Sequence, residues 1–196
     1  VSIQSMTNTK TTNIKETATQ IRALISSGCE LVRVAVPDME AARSIKAIKA
    51  QIDIPLIADI HFNYKLALEA VKAGVDGLRL NPGNIGSRKN VLAVVAAVRE
   101  KKIPIRIGVN SGSIEKDKLK KYGVSAQAMV ESALENVKIL EAANYYEIKI
   151  SVKASSVPLT IASYRLLSEK VVYPLHLGVT EAGSEWKGAI KSAVGI

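Results

Sequence analysis

Seven cationic or carboxamide side chains and three acid–base candidates recur in and just after short apolar runs. Arg33, Arg79, Arg106, Lys149 and Lys153 alternate with β-branched and aliphatic neighbours, and Asp59 and His61 share the same alternation. In an extended strand successive side chains point to opposite faces. One row, Val32, Val34, Val36, Leu56, Ala58, Ile60, Leu78, Leu80, Ile105, Ile107, Val109, Ile148, Ile150, Val152, Leu175, Leu177 and Val179, is wholly apolar and is expected to pack against helices. The opposite row holds Arg33, Ala35, Ile57, Asp59, His61, Arg79, Asn81, Arg106, Gly108, Asn110, Lys149, Ser151, Lys153, His176, Gly178 and Thr180, and it is charged. Burying unpaired cations costs several kcal/mol per ion, so this row needs water, carboxylates or an anionic ligand. Internal ion pairs alone would require more acids than Asp59 supplies. The planar fork of arginine suits bidentate phosphate binding, and three arginines from different strands could cradle a diphosphate.

Gly-rich loops follow three of these runs: NPGNIG at Asn81–Gly86, GVNSGS at Gly108–Ser113 and GVTEAGS at Gly178–Ser184. Such loops offer close backbone approach and amide donors for an anion, although each alone could serve only to reverse the chain. Asp59 and His61 could act as a coupled acid–base pair, or as a counter-ion and a hydrogen-bond donor. Glu181 stands just past a strand end, free to point into the mouth or to cap the next helix. His176 reads as structural. Cys29 precedes its strand, at the opposite end from this chemistry, and Met6 reads as core.

The elements that position these residues form a repeat. Strand-like runs occur at Ser2–Met6, Glu30–Val36, Pro55–His61, Gly77–Asn81, Pro104–Asn110, Glu147–Lys153 and Pro174–Thr180, separated by amphipathic stretches with helical spacing. Asp38, Ser87, Ser125 and Ser184 sit where helix N-caps belong, and Gly28 and Gly74 follow helices as C-terminal glycines do. Seven βα units about 25 residues apart imply an α/β protein whose parallel sheet closes into a (β/α)8 barrel of the TIM type, truncated after about seven units, since eight units need ~250 residues. A doubly wound open sheet is the alternative, but the GxGxxG fingerprint after the first strand is absent. The interval holding Ser111–Gly123 is longer than the others and is expected to be a mobile loop over the site or an extra surface turn.

The chain has 196 residues, 47% of them hydrophobic and 23% charged, which fits one globular domain, or two very small ones, and excludes a disordered chain. The net charge of +9 fits either a Lys-rich solubilising surface or an anionic partner. No basic stretch is interleaved with aromatics, which argues against nucleic acid. No apolar run is long enough to span a membrane, and no signal-peptide core stands at the N-terminus. The single cysteine excludes an internal disulfide framework and a self-contained Cys-rich metal site, so no metal ligand is assigned. A cytoplasmic setting is expected.

The strings QSMTNT (4–9), VRVAVPD (32–38), IPLIADIHFNY (54–64), LRLNPGNIG (78–86), IPIRIGVNSGS (103–113), IKISVKAS (148–155) and YPLHLGVTEAG (173–183) closely resemble the 4-hydroxy-3-methylbut-2-enyl diphosphate synthase family. The resemblance runs in order over nearly the whole chain. It implies reductive ring opening and dehydroxylation of 2-C-methyl-D-erythritol 2,4-cyclodiphosphate in isoprenoid biosynthesis. It also implies a [4Fe–4S] cluster, flavodoxin or ferredoxin as electron donor, and a homodimer. By the same resemblance Arg33, Arg79, Arg106, Asn110 and Lys153 match positions that grip the diphosphate. Asp59, His61, Asn81 and Thr180 match further substrate-facing positions, and Glu181 matches an acid near the reacting carbons. The family carries its cluster on a C-terminal domain, held by three Cys and one Glu, that has no counterpart here. Residues 1–196 are thus expected to be a substrate-binding barrel domain, incomplete and inactive alone. A redox-inactive anion-binding barrel and a metal-free barrel lyase or transferase of the dihydropteroate synthase type are the alternatives.

Overall fold

A computed structural model describes all residues, 1–196. Six strands form one sheet in the order β1-β2-β3-β4-β5-β6, and the chain divides into two compact units, Val1–Ile105 and Arg106–Ile196. The expectation of a βα repeat in a parallel α/β fold holds.

The first unit runs β1 (Gln4–Met6), α1 (Ile14–Ser26), β2 (Leu31–Ala35), α2 (Met39–Lys49), β3 (Leu56–Asp59), α3 (Tyr64–Lys72), β4 (Gly77–Arg79), a 3₁₀ turn (Pro82–Asn84) and α4 (Arg88–Arg99), ending on the first residue of β5 (Ile105–Asn110). Its strands pair in parallel, with Met6 opposite Arg33, Ala35 opposite Asp59 and Asp59 opposite Arg79. The apolar row Val32, Val34, Leu56, Ala58, Leu78 and Leu80 is fully buried, as are Ile21, Ile45 and Ile48 of the helices. Asp38 caps α2 by accepting the Ala41 N–H at 2.8 Å, while Gly28 and Gly74 take left-handed φ values of +92° and +94° after α1 and α3. Ser87 stands at the N-cap position of α4 without a side-chain cap bond.

The second unit continues with a 3₁₀ turn (Ser111–Ser113), α5 (Lys116–Tyr122), α6 (Ala126–Glu141), β6 (Ile148–Lys153), α7 (Val157–Ser168) and α8 (Glu185–Gly195). Ser125 caps α6 through the Ala128 N–H, and Ser184 occupies the N-cap position of α8 without such a bond. Ile107, Ile150 and Val152 are buried completely.

Three expectations are corrected here. The seventh run, Pro174–Thr180, is not a strand: it makes one isolated parallel bridge, Ile150 to Leu175, and Leu177 of its apolar row is 43% exposed. A strand needs a ladder of backbone partners; here Ile150 bonds to Pro174 and His176, and the Thr180 N–H bonds to Ala154 O. The Ser111–Gly123 segment is neither a bare loop nor a simple turn, because it folds into the 3₁₀ turn and α5. Its anchor is Lys118, buried with its Nζ 2.6 Å from Glu135 and 3.4 Å from Asp117. Burial opposes the charge on Lys118, but the Glu135 hydrogen bond and the three surrounding carboxylates outweigh it and hold its pKa above the ordinary lysine value. Lys149 is exposed, so it does not belong with the buried members of the polar row.

Candidate functional site

In the first unit the polar row is organised by one carboxylate. Asp59, 6% exposed at the end of β3, lies 3.2 Å from Arg79 Nη1, 3.5 Å from Arg33 Nε and 3.3 Å from His61 Nε2. Parity and parallel register together dictate this meeting, since Asp59 sits opposite Arg79 and Arg33 lies one pleat from Ala35 on the neighbouring strand. Two guanidinium groups on one carboxylate leave net positive charge. Burial is the largest influence on Arg33 and lowers its pKa, Asp59 pushes it back up, and Arg79 adds to the lowering. The cluster therefore holds its cations against a desolvation cost that an anion would relieve. His61 is exposed and packs edge-on against the exposed Phe62, ring centroids 6.0 Å apart. Asn81 is buried where β4 hands over to its 3₁₀ turn.

The sequence placed Met6 in the core, and the structure does not. It is 37% exposed, and its Sδ accepts from Arg33 Nε at 3.2 Å and Nη2 at 3.0 Å. A methionine reads as core by type alone, yet the Met6–Arg33 register was the signal that could have paired them.

In the second unit Arg106 is 5% exposed and donates through Nη1 to Ser151 Oγ at 2.6 Å. The Ser151 hydroxyl in turn donates to Ile107 O at 3.3 Å, so a neutral relay fixes the guanidinium. Ser151 was on the polar row but not singled out; its place between Lys149 and Lys153 was the available signal. Asn110 starts the 3₁₀ turn, with its N–H donating to Ser113 Oγ and the Ser113 hydroxyl donating back to Asn110 O, both at 3.0 Å. Lys153 ends β6 beside Gly178, where a Cβ would stand 2.7 Å from the Lys153 Nζ; glycine leaves room for the ammonium. Thr180 is tied to Ala154 through its N–H.

Glu181 is exposed, and its φ of +49° is left-handed, an uncommon state for a non-glycine residue. It is not a helix cap, because Ser184 holds the N-cap position of α8. The His176 backbone is tied down at both ends: its N–H donates to Ile150 O, and its carbonyl accepts the Tyr164 hydroxyl, which also accepts the Val152 N–H.

These residues do not fit an iron–sulfur cluster. Cys29 is buried with its thiol donating to Leu31 O at 2.9 Å, and no three His, Cys, Asp or Glu side chains gather as a metal site. No helix is long and apolar enough to cross a membrane.

A parallel βα repeat with polar and charged side chains at its strand ends defines the class: a barrel-type α/β protein. Within that class the chain belongs to the GcpE TIM-barrel domain family, which matches residues 1–196. It is 61% identical over 196 residues to the 4-hydroxy-3-methylbut-2-en-1-yl diphosphate synthase (flavodoxin) of Geobacter sulfurreducens and 60% identical over 197 residues to that of Clostridium perfringens. Each alignment covers 100% of this chain and 56% of the relative, so the chain spans about half the length of these curated relatives. Among solved structures it resembles dihydropteroate synthase of Yersinia pestis, with a TM-score of 0.67 and 13% identity over 98% of this chain and 79% of that one. Type I 3-dehydroquinate dehydratase of Clostridium difficile gives a TM-score of 0.66 at 13% identity, over 97% and 78% of the two chains. At such identity the likeness is one of fold, and it lends no support to a transferase or lyase reading.

Proposed function

We propose that this chain supplies the diphosphate-binding barrel of an enzyme that converts 2-C-methyl-D-erythritol 2,4-cyclodiphosphate into 4-hydroxy-3-methylbut-2-enyl diphosphate. The observation that carries the proposal is the pair of arginines, Arg33 and Arg79, held half-neutralised on the single carboxylate of Asp59. In the overall conversion the ring C–O bond to phosphate breaks and one hydroxyl leaves as water, with two electrons and two protons consumed. The relatives' names add flavodoxin as the electron donor. In this proposal the chain's share is binding, orientation and proton supply. The same reading carries a homodimer and a cytoplasmic location.

Each side chain has a distinct task in this proposal. Arg33, Arg79, Arg106 and Lys153 take the phosphate oxygens, and Asn81, Asn110 and Thr180 add hydrogen bonds that fix the sugar-derived carbons. Asp59 holds the two arginines on one carboxylate while leaving positive charge for the ligand, with His61 Nε2 3.3 Å from the same carboxylate. Glu181 protonates the departing oxygen from an exposed loop position with a left-handed backbone. In the complete enzyme Glu181→Gln is expected to keep substrate affinity within a few-fold and to lower kcat by ~10²–10⁴, the usual contribution of a general acid. Near-normal turnover in that variant would remove Glu181 from the mechanism.

A further inference from the structure

We infer that Met6 is a positioning residue for Arg33, a neutral thioether acceptor that orients the guanidinium toward an anionic ligand without cancelling its charge. The inference rests on the anion-binding reading above and names a residue which that reading does not use. Three observations carry it. Met6 and Arg33 are direct partners in the β1–β2 register, so their side chains stand on the same face of the sheet. The Sδ atom meets two nitrogens on one edge of the guanidinium, Nε at 3.2 Å and Nη2 at 3.0 Å, while Asp59 Oδ2 meets Nε at 3.5 Å. Nη1 makes no contact of this kind and is the nitrogen left for a ligand. Finally, Met6 is 37% exposed, which is not the burial of a methionine whose task is to fill space.

The chemistry of the position selects this residue type. A carboxylate there would give Arg33 a second counter-charge and leave little for a phosphate to gain. An aliphatic side chain would fill the same volume, but two N–H groups on a largely buried guanidinium would lose their acceptor. Thioether sulfur is a weak, polarisable acceptor that lies between these extremes. It fixes the plane of the fork and leaves the charge in place.

The test compares Met6→Leu, Met6→Gln and Arg33→Ala in the complete protein, with inorganic pyrophosphate as the calorimetric probe at fixed low salt. Arg33→Ala is expected to weaken binding at least ~10-fold, the scale of a charge-assisted hydrogen bond. Met6→Leu should weaken it by ~3- to 10-fold, as for loss of a neutral acceptor. Met6→Gln should restore affinity to within about 2-fold, because its amide oxygen accepts from the same nitrogens. In turnover assays Met6→Leu should raise KM and spare kcat. Equal losses in Met6→Leu and Met6→Gln, or no loss in Met6→Leu beside a clear loss in Arg33→Ala, would overturn the positioning role alone. Undiminished pyrophosphate binding by Arg33→Ala would instead overturn the anion-binding reading, and the role of Met6 with it.

Discussion

β3 and the segment Pro174–Thr180 carry the same alternation of apolar and polar residues, but only one of them is a strand. Leu56, Ala58 and Ile60 are fully buried, and β3 is hydrogen-bonded along both edges, to β2 and to β4. The later segment is bonded on one side at a few points, its Leu177 is 43% exposed, and Gly178 interrupts it. Alternation therefore states which face a residue would occupy; the ladder decides whether the face exists. The consequence for the site is direct. On β3 the polar partner of each buried residue is held in place by neighbouring strands, so Asp59 can gather two arginines and a histidine. After the later segment Glu181 is held by a loop and its own left-handed backbone.

The largest effect expected from this contrast is at Asp59. Asp59→Ala removes the carboxylate shared by Arg33 and Arg79 and should lower unfolding stability by ~3–5 kcal/mol, the cost of stranding buried charge. Asp59→Asn should lose less, because the amide oxygen still accepts one of the arginine N–H groups; urea denaturation of both variants measures the difference. A loss below about 1 kcal/mol in Asp59→Ala would mean that solvent, not Asp59, balances these arginines.

A smaller loss is expected where the later segment is pinned. The Tyr164 hydroxyl donates to His176 O and accepts the Val152 N–H, so Tyr164→Phe should cost ~1–2 kcal/mol and speed amide exchange at His176, with β3 unaffected. The same contact gives a pH dependence. Burial raises the Tyr164 phenol above its ordinary 10.0, against the opposing pull of the Val152 N–H and Arg106, and Tyr173 is raised to about 12. The folded state then binds more protons than the unfolded one above pH 10. The phenols' contribution is complete below that value and is lost as the pH climbs through the folded pKa values. Melting temperatures recorded from pH 9 to 11.5 should fall, and less steeply in Tyr164→Phe. The smallest effect is at Leu177, where Leu177→Ser should shift stability by no more than ~0.5 kcal/mol, as for an exposed side chain. A loss of several kcal/mol there would show that the segment is packed like β3 after all.

Much of this arrangement was legible in the sequence, for a physical reason. A period of two and parallel pairing by themselves place Arg33, Asp59 and Arg79 on one face, so their common face is legible in the sequence. What could not be read depends on partners rather than on type. Met6 looks like core because methionine usually is, and its contact with Arg33 follows only from the β1–β2 register. α5 is Lys-rich and lacks an apolar period; it is held by Lys118 among carboxylates, a signal that hydrophobic patterning does not register. The left-handed state of Glu181 is a loop property that its neighbours Thr180 and Ala182 do not announce.

The central proposal is that Arg106 belongs to a specific diphosphate site rather than to a diffuse positive field. Calorimetric affinity for 2-C-methyl-D-erythritol 2,4-cyclodiphosphate, measured on the complete protein with Arg106→Ala and with the exposed Lys101→Ala, tests it most directly. Arg106→Ala should weaken binding by about 10- to 100-fold, the range of a hydrogen bond to a charged group, while Lys101→Ala stays within about 2-fold of the unsubstituted protein. Equal losses in the two variants would show that binding follows net charge, and would contradict the site.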